Sequence, residues 1–385
     1  MKIDKLLKEK NKQKKLKHLY YISLIKFISM TIIIKWHISI WKKRNIDYGA
    51  RLCELLYISS GFLVGYNYFY NPLKSDYKTS FIYSYKHLKS FYPLYLINTL
   101  IDIYIHRNIS INKLTFIEII IINFLLLQSW SRYKTFVPCL NGHTWFLSAL
   151  MLCYFLSPFL LNGINMLKNS LILFLIISSV RIFGEVLIEK GAINLFDADF
   201  HYGPIVRLLE FYMGMLVVPF YFLIRFYLDS FRKQKIYFTI FFTILQLLSP
   251  ILIYVICIKF KYIFYRGHFA LFFSIIIIFL GFDYGFISNI LSTKIIQLII
   301  SCQIEMYILQ LNINHYINKL LIKKHPKNNI DIEIEFIFKL IIIFTIAFLY
   351  KKLLKTKLTN IFDTIVISII NKINNNATQN IHIFT

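Results

Sequence analysis

Residues 19–41 read LYYISLIKFISMTIIIKWHISIW, and this run decides the class of fold. At about 1.5 Å of rise per residue, a helix of this length crosses roughly 30 Å of hydrocarbon. The segment ahead of it, MKIDKLLKEKNKQKKLKH at residues 1–18, is dense in lysine, the pattern of a flank that stays in the cytoplasm. A secretory signal also begins this way, but the apolar run is too long for its core and lacks a small-residue cleavage site. It is therefore expected to remain as the first span.

Outward from that span the same character recurs. Of 385 residues, 57% are hydrophobic and 16% charged, against about 25% charged in an ordinary soluble domain. Mean hydropathy is +0.58. Windows long enough to cross recur near 50–70, 91–107, 114–130, 145–161, 170–189, 203–226, 236–258, 268–287, 292–313 and 334–350. The expectation is an all-α, polytopic transmembrane helical bundle of about 10–11 spans, because a chain in lipid must satisfy its backbone hydrogen bonds internally. Three regions follow: a basic cytoplasmic segment at 1–18, a transmembrane domain at 19–350 and a short basic, Asn-rich tail at 351–385. In the tail, Ile361–Ile370 is too short to cross, and NKINNNATQN is expected to be disordered.

The net charge of +25, from 44 Lys and Arg against 19 Asp and Glu, would point to nucleic acid in a soluble chain. Here the lysines fall between apolar runs, so basic loops at an anionic lipid surface are the simpler account, and no nucleic-acid partner is expected. Lysine follows the first span at Lys42 and Lys43, beside Arg44, and the second at Lys74 and Lys78, so loop charge orients only the N-terminus. Aromatic residues make up 18%, with 27 Tyr and 37 Phe, which suits helix contacts and interfacial belts. Cys53, Cys139, Cys153, Cys257 and Cys302 have neither disulfide-framework nor metal spacing and read as small buried apolar residues, with no metal site expected.

Ionisable groups at membrane depth each need a partner, a cavity or a task. Lys26 and His37 are 11 residues apart, three helical turns plus about 20°, so they share a face about 16 Å apart along the axis. A lysine suits a phosphate or polar carbonyl, and a neutral imidazole can take a proton from a hydroxyl. The plainer alternatives are a snorkelling Lys26 and a His37 at the outer interface between Trp36 and Trp41. In SYKHLKSFYPLY, Lys86 and Lys89 would share a helical face and could grip a phosphate, or serve only as an anchor on the inner side. The stretch NGHTWFLSALMLCYFLSP at 141–158 opens with Asn141 and offers Thr144 as N-cap and Trp145 as anchor, leaving His143 and Ser148 less fully explained. Arg207 and Glu210 stand at ion-pair spacing, and Glu305 is expected to face a wet interior, in a run with Gln297, Gln303, Tyr307 and Gln310.

In combination these elements resemble the acyltransferase 3 family of polytopic membrane O-acyltransferases, which modify surface polysaccharides. The resemblance spans about residues 20–350 and rests on six ordered elements. They are Lys26 and His37 with ten residues between, SSGFLVGY at 59–66, the basic pair before FYPLY, TWFLSAL at 144–150, LEFYMGM at 209–215 and EMYILQL at 305–311. It implies that His37 is the catalytic histidine, that Lys26 fills a position held by Arg or Lys, and that Lys86 and Lys89 bind the donor. Departures are Phe146, Ala149 and Leu150, where many members carry a serine and then a glutamate after the tryptophan, and Gln310, where a histidine is common. Lysines at 86 and 89 also lack the bidentate fork of arginine.

The expected function is transfer of an acyl group, acetyl foremost, from acyl-CoA as co-substrate to a hydroxyl of a cell-surface carbohydrate or glycolipid. No permanently bound cofactor is expected. His37 would act as general base or carry the acyl group, and the sequence does not choose. Trp145, Ser148, Glu210 and Glu305 are the candidate acceptor-side residues. The expected location is a bacterial-type cytoplasmic membrane, with lipid as solvent. The rival is a transporter or flippase of lipid-linked saccharides, which predicts interrupted spans in matching halves.

Overall fold

The computed structural model describes residues 18–40, 48–106, 113–130, 140, 142–164, 167–189, 203–230, 235–259, 266–321 and 329–381. The readings placed on residues 1–17, Lys42, Lys43, Arg44, Cys139 and Asn141 lie outside them. The described residues are helical, with no strand among them. In order, α1 is Tyr20–Ile40, α2 Tyr48–Tyr70, α3 Tyr77–Leu88, α4 Tyr92–His106, α5 Lys113–Phe124, α6 Trp145–Leu160, α7 Leu167–Glu189 and α8 Pro204–Leu216. There follow α9 Val218–Ser230, α10 Lys235–Lys259, α11 Arg266–Leu280, α12 Phe286–Leu291, α13 Lys294–Ile300, α14 Gln303–Leu321, α15 Asn329–Leu349 and α16 Lys355–Ile381.

Five helical stretches are long and apolar enough to cross a membrane: Tyr20–Ile38, Gly142–Leu160, Leu167–Gly184, Pro204–Asp229 and Ile236–Cys257. Counting the pair α13 and α14 as one span, bent by 44°, makes six. The remaining windows form helices that are shorter, such as α5 at 12 residues, or more polar, such as α2 with Arg51 and Glu54. The surface agrees with a multi-pass membrane protein. On α10, Ile240, Phe241, Ile244, Leu247 and Ile251 are exposed, whereas Gln246 and Ser249 are buried. Such an apolar face is stable against lipid and unfavourable in water.

Helices α2 and α8 form the most intimate pair, and glycine is the reason. A Cβ at Gly61 would stand 1.8 Å from the Phe211 carbonyl oxygen, and one at Gly214 would stand 2.0 Å from that of Ile58. Small residues spaced in this way let two backbones approach in a membrane, where lipid gives apolar side chains no preference for one another. Gly61→Ala must push the helices apart. It is expected to lower stability by about 3 kcal/mol, the upper part of the overpacking range, read as detergent-induced unfolding of the solubilised protein.

The window at 203–226 stands as one stretch, Pro204–Asp229, with a local irregularity at Val217 where Pro219 has no N–H for the ladder. Two other sequence expectations are corrected. The window at 292–313 is broken after Ile300, giving the bent pair. The tail is a helix to Ile381, continuing from α15 through a π turn at Tyr350–Leu354, since Lys355–Ile381 contains no Gly or Pro to stop it.

Candidate functional site

His37 lies near the end of α1 and is 6% exposed. Its Nδ1 is 3.2 Å from the Gln310 side-chain oxygen on α14. Its ring lies flat on His143, with centroids 3.5 Å apart and planes 13° apart. The position read from sequence as the loss of a second base is thus the direct partner of the first. An amide oxygen only accepts, so Nδ1 carries the proton and Nε2 keeps its lone pair.

His143 sits in the short 3₁₀ turn Gly142–Thr144 that leads into α6, and its backbone oxygen accepts the Tyr307 hydroxyl from α14. Two atoms beside the pair, His143 Nε2 and Gln310 Nε2, are buried without a hydrogen-bond partner. Unsatisfied polar groups at such depth cost about 1–3 kcal/mol each, a cost that a hydrogen-bonding water or polar guest there would relieve. Thr144 precedes α6, but its hydroxyl does not cap the helix; it accepts from Gln128 Nε2 at 3.0 Å, which also reaches the Tyr95 hydroxyl.

Toward the other end of α1, Lys26 Nζ donates to Ser60 Oγ at 3.0 Å, tying the two sequence elements together. His87 on α3 stacks on Tyr154 of α6, with centroids 3.9 Å apart. The basic pair divides. Lys86 is exposed, whereas Lys89 Nζ lies 2.8 Å from Asp363 on α16. Helix α16 docks there through Phe362 against Tyr92 and through Asp363, which also accepts from the Tyr85 hydroxyl at 2.6 Å.

Hydrogen bonds from Lys89 and then Tyr85 hold the Asp363 carboxyl below its ordinary value of 3.8. A lowered folded-state pKa contributes stability above the ordinary value, and that contribution is lost as pH falls through the lowered one. Docking of α16 is therefore expected to be intact at pH 7 and released in acid. Asp363→Asn should release it at pH 7, seen as faster amide exchange over residues 355–370.

The acceptor-side candidates are distributed differently. Trp145 is buried, 5.7 Å from the Arg207 guanidinium, which sits at the same distance over Tyr57. Ser148 is turned to local structure: its hydroxyl is 2.7 Å from Ser129 Oγ and donates to the Leu126 carbonyl, where the chain takes a positive φ of 54°. Glu210 is fully buried between Arg207 at 2.6 Å and Arg181 of α7 at 3.0 Å, with Glu54 of α2 3.8 Å from Arg181. The i, i+3 pair is present, within a larger network that joins three helices. Glu305 is 3% exposed and pairs through one carboxylate oxygen with Lys355 at 2.6 Å, while its Oε2 is buried without a hydrogen-bond partner.

Arg181 and Glu54 were missed in the sequence, although each is an ionisable residue inside an apolar run and so demands a partner. Cys53, Cys153, Cys257 and Cys302 are buried free thiols. The fold and site define a helical membrane protein with a buried histidine pair and a separate buried ion network. Compared with known proteins, the chain matches no family model, no curated protein and no solved structure.

Proposed function

We propose that the chain is an integral membrane O-acyltransferase. It moves an acyl group, acetyl foremost, from acyl-CoA to a hydroxyl of a cell-surface carbohydrate or glycolipid. The observation that carries this reading is the buried His37, held by Gln310 and stacked on His143 beside unpartnered polar atoms, with Lys26 on the same helix. His37 Nε2 takes the proton of the acceptor hydroxyl. The hydroxyl oxygen bonds to the thioester carbonyl carbon, the carbon–sulfur bond breaks, and the thiolate receives the proton. Lys26 and the exposed Lys86 favour the anionic donor, while Lys89 is engaged by Asp363 until α16 moves.

The sequence supports ten or eleven crossings, an N-terminus in the cytoplasm and a bacterial-type inner membrane, and these belong to the same proposal. One interruption, after Ile300, favours a second reading, a transporter of lipid-linked saccharides, since broken spans are common in transporters. The test is to incubate membranes containing the protein with radiolabelled acetyl-CoA and the host's surface glycans. Label on the glycan supports transfer. Its absence, with glycan export that depends on the protein, supports transport.

A further inference from the structure

Helix α16 carries stripes of three kinds. One is held to the protein: Lys355 pairs with Glu305 at 2.6 Å, the Thr359 hydroxyl donates to the Lys89 carbonyl at 3.5 Å, and Phe362 and Asp363 meet Tyr92 and Tyr85. At about 100° per residue these four positions fall within roughly 100° of one another. Beside them Ile361, Ile365 and Ile369 recur at each turn, 55%, 52% and 53% exposed. On the other flank Ile367 and Ile370 are likewise exposed. The side away from the protein bears Lys357, Asn360, Thr364 and Ser368, all exposed.

One environment satisfies all of these stripes. Were the helix to cross a bilayer, its polar stripe would run through hydrocarbon, where such groups find no water. Were it to stand in water, two rows of isoleucine would be solvated against the hydrophobic effect. Lying along the membrane surface with its docked face on the protein, it buries the isoleucines among acyl chains and keeps the polar stripe wet.

Charge selects the lipid. Residues 351–370 hold lysines at 351, 352, 355 and 357 against the single acid Asp363. Lys351 and Lys355 are held by the Ser301 carbonyl and by Glu305. Lys352 is exposed in the π turn, and Lys357 stands one turn before Ile361, where the polar stripe borders the apolar one. Ammonium groups at that level attract the phosphates of anionic lipid. We infer that α16 is an in-plane anchor that docks on an anionic bilayer, its isoleucine rows among the acyl chains and Lys352 and Lys357 at the headgroup phosphates. The inference is independent of the acyl-transfer chemistry.

The test places a bimane fluorophore, through one introduced cysteine at a time, at Ile361, Ile365, Ile369, Asn360, Thr364 and Ser368 of the full-length protein in vesicles of phosphatidylethanolamine and phosphatidylglycerol. Cys139→Ser, with Cys53, Cys153, Cys257 and Cys302 buried, keeps the label on the new site. A lipid nitroxide on the acyl chain is expected to quench the isoleucine positions several-fold more than the polar ones, and iodide in the water to show the reverse order. At Ile361, phosphatidylglycerol carrying the nitroxide should quench a few-fold more than phosphatidylcholine carrying it, and Lys352→Gln combined with Lys357→Gln should erase that difference. Acyl-chain quenching at all six positions, with none by iodide, means a crossing helix and overturns the inference. Iodide reaching the isoleucine positions as readily as the polar ones overturns it in favour of a helix in water. Isoleucine positions shielded from both quenchers, with self-quenching between labelled molecules, mean that a second copy covers the face and overturn it too. Equal quenching by the two nitroxide lipids overturns the assignment to anionic lipid.

Discussion

Glu210→Ala is expected to destabilise the protein by about 3–5 kcal/mol, the largest stability effect of any single change proposed. The alanine leaves Arg181 and Arg207, each 1% exposed, facing one another without the carboxylate that lies 3.0 and 2.6 Å from them. The penalty is that of leaving two buried guanidiniums to share the one carboxylate of Glu54, 3.8 Å from Arg181, more than of losing two contacts. Removing charge in balance should be far milder. In the double change Arg207→Met with Glu210→Leu, Arg181 retains Glu54 at 3.8 Å, and much of the lost stability should return. Denaturant midpoints for the three proteins in one detergent check the order.

His37→Ala carries the largest expected effect on activity, a loss of 10²- to 10⁴-fold in acyl transfer, the span that a positioned general base contributes. Protein abundance should be unaffected, because His37 belongs to the helix pair around α1 and α14 and not to the ion network. Gln310→Leu should lose on the order of tenfold, since it removes the bond that holds Nδ1 protonated and Nε2 free without removing the base. Initial rates of ester formation at matched protein levels distinguish the two. A His37→Ala enzyme as fast as the wild type would end the assignment of His37 as base.

Much of this was legible in the chain before folding. The apolar runs announced their helices, and Lys26 and His37, read on one helix, both lie on α1, the first against Ser60 of α2 and the second against Gln310 of α14. The Arg207–Glu210 pair was equally readable from its i, i+3 spacing. What escaped were relations between distant segments. Nothing local to Gln310 says that it meets His37 across 273 residues, or that His143 stacks there, because such contacts are set by how helices pack.

The same holds for Lys89, read as a phosphate grip or an anchor, and Glu305, read as facing a wet interior, which pair with Asp363 and Lys355 of one C-terminal helix. That helix was itself misread. Asparagine suits disorder on composition, yet a run free of Gly and Pro, fed by a preceding helix, can continue helical. Crossing count also resisted the sequence, since the bend after Ile300 falls inside an otherwise continuous apolar run.

The most direct test of the central claim uses the purified protein in lipid nanodiscs with acetyl-CoA and the lipid-linked oligosaccharide fraction of the host membrane. Free thiol is followed together with acetyl esters on the sugar by mass spectrometry. The account predicts one thiol released per ester formed, both dependent on the protein and on the acceptor. No thiol and no ester, from a protein that moves the same oligosaccharides across a vesicle membrane, would contradict it.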